Sequence, residues 1–94
     1  MSTIEITSLI WNDRNRAHIK RHNVNDFEVE EVCHDEKCVI YETYNNRILL
    51  TGRVKNNRYI TVILSQGDFL GVYYVVTARD ANKKERRAYD KENT

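Results

Sequence analysis

The sequence predicts an α+β domain in the order β-α-α-β-β-β-β-α, with helices packed on an antiparallel sheet. Three observations carry this. A short apolar run is followed by two asparagine-headed helical stretches. From Cys38 onward come four runs rich in β-branched and aromatic residues, separated by short turn signals. A basic helix with its own capping box then closes the chain.

Each element has a local reason. Thr3 to Trp11 holds Ile4, Ile6, Leu9 and Ile10 and reads as an opening strand with imperfect alternation. Asn12 suits the N-cap of a helix from Asp13 to about His22, and Asn23 stands where a left-handed residue would close it. Asn25 and Glu28 make a capping box for a second helix, stapled by Val24 and Val29, with Phe27, Val29, Val32 and Cys33 as inward contacts. The strands are Cys38 to Tyr44, Arg47 to Val54, Arg58 to Leu64 and Gly71 to Arg79. Asn45–Asn46 and Asn56–Asn57 suit the positive φ angles of type I′ hairpins, and residues 65–68 make a longer turn. Asn82 and Glu85 cap the last helix, which runs to about Glu92. Strand parity groups Ile48, Leu50 and Val54 against Leu49, Thr51 and Arg53. It also groups Val72, Tyr74, Val76 and Ala78 against Tyr73, Val75, Thr77 and Arg79. Arg53 and Arg79 both fall at strand ends, and register decides whether their faces coincide.

Composition narrows the classes. The 94 residues are 40% hydrophobic and 31% charged, with no apolar run near the ~20 residues of a membrane span. They fit a single domain, residues 1–94, with no proline and 3 glycines to build linkers. Residues 1–10 carry Glu5 and no basic side chain, unlike a secretory signal. Two cysteines make no disulfide framework, so a reducing cytoplasm is the expected setting. The net charge of +1 hides an asymmetry. Residues 1–45 have 5 Lys and Arg against 9 Asp and Glu, a net −4; residues 46–94 have 10 against 5, a net +5. A polyanion would prefer the second half, although solvated strand and helix faces also account for the charge.

Two constellations could carry chemistry. His18 and His22 share a helix face at metal-ligand spacing, with Cys33, His34 and Cys38 as further ligands for zinc. The cysteine spacing straddles a helix end and matches no zinc-finger pattern, so no metal or other cofactor is expected. The second constellation is Lys20, His22, Arg53, Arg79, Arg86 and Tyr89. Cleaving RNA without a metal needs a base for the 2′-OH, cations for the phosphorane charge and an acid for the leaving oxygen. Arginine suits phosphate, and histidine suits proton transfer near neutral pH. Equally, Arg86 reads as a surface charge, Tyr89 as packing, and His22 as a cation at a helix C-terminus.

The runs Ile10–Asp13, His18–Val24 and Glu28–Val32, then Gly52–Arg53, Val75–Asp80, Lys83–Arg87 and Tyr89, resemble the BrnT family of toxins over about residues 10–90. The chain departs from the family pattern at Asn23, where glycine is usual, and over residues 33–44, where a proline is missing. The resemblance implies a RelE-like fold and a toxic ribonuclease that arrests translation; with no carboxylate cluster for magnesium and weak zinc spacing, a metal-independent endoribonuclease is expected. It also implies neutralisation by a small antitoxin with a ribbon-helix-helix-like DNA-binding domain, through which operator DNA is bound. Arg53, Arg79, His22 and Lys20 are then the expected catalytic groups, and Lys83, Lys84, Arg86 and Tyr89 the expected RNA contacts. Two other readings stay open: a catalytically silent relative that only joins an antitoxin or nucleic acid, and a zinc-dependent regulator. No membrane partner is expected.

Overall fold

Asparagines start all three helices. In this computed structural model, which describes residues 4–43 and 45–94, the Asn12 side chain accepts from Asn15 N at 2.8 Å. Asn15 returns the bond to Asn12 N at 2.9 Å and donates to Ile10 O at 2.9 Å, so a buried polar residue locks the start of α1 (Asp13–Lys20). The helix stops at Lys20, one half-turn short of the expected His22, because the chain begins to turn at Arg21. Asn23 N donates to Lys20 O and Val24 N to Ile19 O, the paired bonds of a Schellman motif, with Asn23 at φ 59°. Ile19 and Val24 are both buried, which supplies that motif's apolar contact.

The second helix, α2 (Asp26–Cys33), begins at its capping box, where Glu28 Oε1 accepts from Asn25 N at 2.9 Å. Its inward stripe is Val29, Val32 and half-buried Cys33. Phe27, expected inside, is 64% exposed, since residues two apart on a helix do not share a face with Val29.

Five strands form one sheet: β1 (Ser8–Ile10), β2 (Val39–Glu42), β3 (Arg47–Val54), β4 (Arg58–Gln66) and β5 (Val72–Asp80), in the order β1-β5-β4-β3-β2. The last four make the expected antiparallel meander. The sheet is mixed rather than antiparallel, because β1 joins β5 in parallel. Helices α1 and α2 supply the long crossover that separates β1 from the meander. The opening strand is shorter than expected, and Thr3 lies outside the described residues, as does Tyr44 at the end of the expected second strand. Asn45, Asn46, Asn56 and Asn57 all take positive φ. The Asn56–Asn57 turn nevertheless departs from a two-residue hairpin: Val54 pairs with Arg58, leaving a three-residue 3-10 turn, Lys55–Asn57, between the strands.

Register sorts the two faces. Ile48, Leu50, Gly52 and Val54 face α2, with Ile60, Val62 and Leu64 opposite them. Gly52 gives α2 a close approach there, because a Cβ would meet Val32 Cγ1 at 3.1 Å and push that side chain back by a few tenths of an ångström. On β5 a bulge falls between the pairs Ile63↔Thr77 and Leu64↔Val75. It overturns the simple alternation expected for that strand: Val75 and Ala78, three apart, are both buried, while Val76 is half-exposed. The other face carries α3 (Lys83–Glu92), which ends where the sequence places it.

Candidate functional site

Rows of the register settle the question of convergence. Arg53 pairs with Tyr59, and Thr51 pairs with Thr61, which pairs with Arg79. Arg53 and Arg79 therefore share the α3 face, two strands and two residues apart, about 12 Å between Cα atoms.

Their surroundings differ. Arg79 forms a bidentate ion pair with Glu85, Nη1 to Oε1 at 2.8 Å and Nη2 to Oε2 at 3.0 Å. Glu85 Oε1 also accepts from Thr61 Oγ1 and from Asn82 N, each at 2.9 Å. The Thr61 proton is spent on Glu85, so Thr51 donates the 2.8 Å bond between the two buried hydroxyls. Burial pushes the Glu85 carboxyl up, but the bonds from Arg79, Asn82 and Thr61 prevail and hold it at about 2. The Glu85 bond likewise raises the Arg79 guanidinium above its usual value. Arg79 is thus built into the seat of α3 rather than standing free at a strand end.

Arg53 is exposed and, among the described residues, pairs with no carboxylate. Its guanidinium lies 5.4 Å from the Tyr59 ring centroid and donates to Asn57. Tyr59 meets Tyr89 edge-on at 5.7 Å and donates to Asp90 Oδ1 at 2.8 Å. Tyr89 donates to Asp35 Oδ2 at 3.2 Å. The hydrogen bond to Asp90 raises the Tyr59 phenol, while burial first and Asp35 second raise that of Tyr89, so both stay protonated at neutral pH. The pairing of β2 stops at Val39↔Thr51, leaving the end of β3 open at the sheet's edge. A cavity of about 610 Å³ opens there, lined by Arg53, Tyr89, Glu31, Asp35, Lys55 and Asp90 among others.

The remaining expected residues are dispersed. Lys20 and His22 are exposed on the α1–α2 side of the sheet, opposite α3. The corner they flank is held by Arg58, which the sequence does not single out: it donates to the carbonyls of Asn23 and His22, to Glu28 at 3.3 Å and to Asp80 at 2.8 Å. Arg58 thus ties the corner that ends the first helix to the second. On α3, Asp90 and Tyr89 face the cavity, and Arg86 lies close enough for its charge to act on Tyr59. Lys84 lies on the opposite flank, beside Tyr41, and Lys83 points to solvent. His18 and His22 meet ring to ring at 5.6 Å, but no three His, Cys, Asp or Glu gather as a metal site among the described residues. Burial pushes the Cys33 thiol to about 12 and Cys38 to about 11, which makes both poor ligands and nucleophiles.

Sequence reasoning misses Asp35, Tyr59 and Asp90. Tyr59 is recoverable, since pairing Val54 with Arg58 across the asparagine turn sets it opposite Arg53. Nothing local marks Asp35, which reaches the site by tertiary packing alone.

Fold and site define a class: a BrnT-like α+β domain whose cavity, lined by both acidic and basic side chains, lies between the C-terminal helix and the open end of a central strand. The chain is similar to the ribonuclease toxin BrnT of Brucella abortus, solved by crystallography, with a TM-score of 0.59 and 20% identity. The match covers 81% of this chain and 97% of that one. No protein-family model matches the sequence, and no curated protein matches it. No helix among the described residues is long and apolar enough to cross a membrane.

Proposed function

We propose that this chain is a metal-independent endoribonuclease toxin that arrests translation and is held inactive by a small DNA-binding antitoxin. The observation that carries the reading is Arg53: an exposed guanidinium, unpaired with any carboxylate among the described residues, at a cavity lined by the Tyr89 phenol with Tyr59 packed beside it, on a BrnT-like fold. The Brucella protein of that fold is a ribonuclease toxin.

In this reading Arg53 binds the scissile phosphate and stabilises the charge that develops when the 2′-OH attacks in line. The Asp35 carboxylate takes the proton of the 2′-OH as Tyr89 releases that carboxylate and gives its own proton to the leaving oxygen, while Tyr59, bonded to Asp90, packs against Tyr89 and holds its ring. Arg86 supports the RNA backbone from the same flank. The reading places the chemistry at Arg53, not at Lys20 and His22, which the sheet separates from that phosphate. Those two residues meet a more distant stretch of the strand.

Inducible expression of the chain alone tests the proposal, with growth and total-RNA integrity as readouts. Growth arrest with fragmented RNA is expected, reversed by co-expressing a small ribbon-helix-helix protein encoded beside it. Normal growth with intact RNA would overturn the reading.

A further inference from the structure

The helix α3 lies over the Thr51–Thr61 row of its sheet face, and its Tyr89 and Asp90 reach the Arg53–Tyr59 row on one side. Glu85 sits over Arg79 and Thr61, Tyr89 reaches Asp35, and Asn93 donates to Lys37 O just ahead of β2. The helix thus runs across the strands along the row Val39–Thr51–Thr61–Arg79. The next row along the strands is Tyr41–Leu49–Ile63–Thr77, and no helix among the described residues runs along it. Tyr41 is 41% exposed, and Leu49, Ile63 and Thr77 are half-buried. Thr77 Oγ1 is shielded from solvent yet has no hydrogen-bond partner among the described residues.

We propose that this strip is a docking groove for one amphipathic helix of a partner protein, lying alongside α3 and bordered by acidic side chains. Its dimensions suit a helix. The row spans four strands, about 14 Å, or about 10 residues of helix, the length of α3 itself. Helices pack about 8–10 Å apart, and rows two residues apart on a strand lie about 7 Å apart, so the second helix would settle just beyond the Tyr41 row.

Charge sets the partner's chemistry. The flank of α3 opposite Asp90 and Asn93 carries Lys84, Ala88 and Lys91, at i, i+4 and i+7. Ala88 permits close approach, and the two exposed lysines stand at either end of it, with exposed Glu92 near Tyr41 at the β2 end. Exposed Arg47 occupies the row beyond. An apolar stripe with glutamates or aspartates on both borders matches that frame, and a basic helix would be repelled by it. The groove is separate from the Arg53 cavity, so the inference stands whether or not the chain cleaves RNA.

The test uses two synthetic 16-residue helical peptides with one apolar stripe, bordered in one by glutamate and in the other by lysine. Fluorescence anisotropy gives affinity, and methyl chemical shifts of Leu49 and Ile63 report the site. The acidic peptide should bind at least tenfold more tightly than the basic one and shift both methyl groups. Lys84→Glu with Lys91→Glu, both exposed, should reverse that preference while thermal unfolding stays unchanged. Failure of both peptides to bind, or binding that leaves Leu49 and Ile63 unshifted, would overturn the proposal. So would concentration-dependent shifts of these methyl groups in the chain alone, which would assign the groove to a second copy.

Discussion

Glu85 caps α3, accepts from a threonine on β4 and pairs with an arginine on β5, so its ionisation bears on stability. Its folded carboxyl sits at about 2, below the ordinary 4.5 of the unfolded chain. The resulting stabilisation is complete above the unfolded value and is lost as pH falls from there toward about 2. Glu85→Gln should therefore destabilise the protein at pH 7, with the gap to wild type closing as pH drops through that window. Parallel pH–stability curves would contradict it. Arg79→Ala leaves a largely covered carboxylate without its partner and should cost about 2 kcal/mol, lowering Tm by about 10 °C. Arg79→Lys should recover part of the loss, and equal Tm for the two variants would contradict this. The capping role of Glu85 is readable from its spacing to Asn82; its partnership with Arg79 is not, because the register between β4 and β5 is a tertiary fact.

At the scale of elements, the legible features are those set within a few residues. Capping boxes and the positive φ of Asn23 and of the turn asparagines depend on near neighbours, and the structure contains them, whereas the Asn56–Asn57 turn is one residue longer than its asparagine pair suggests. The parallel docking of β1 is not legible, since Ser8 pairs with Val72 far along the chain. The bulge at Val76 is hidden for another reason: Val72 to Ala78 has acceptable core residues at both parities, so alternation cannot locate the slip. The closure of α1 yields a sharp prediction. Asn23→Ala should cost about 1 kcal/mol at φ 59°, measured by urea unfolding, whereas Asn23→Gly should cost nothing. Equal losses in both variants would show that the asparagine side chain, not the backbone angle, matters.

Across the whole molecule, the excess charge of residues 46–94 is divided by α3. Arg53 and Arg86 lie toward the cavity, Lys84 and Lys91 toward the groove. RNA affinity should fall as salt rises, with Arg86→Ala reducing the slope of log affinity against log salt by about 0.7 for a single strand. An unchanged slope would mean that Arg86 touches no phosphate. The sequence groups Lys20, His22, Arg53 and Arg79 as one constellation, yet the sheet holds the first two on its other side and Glu85 engages the fourth. Arg53 alone of the four is left at the cavity.

RNA cleavage by purified protein in EDTA, comparing Arg53→Ala with His22→Ala, is accordingly the most direct measurement. Arg53 is exposed, so its truncation should leave Tm within about 3 °C while cleavage falls at least ~100-fold. The His22 variant should keep its rate within about tenfold. Full cleavage by Arg53→Ala, or loss confined to His22→Ala, would contradict the assignment of the chemistry to the Arg53 cavity.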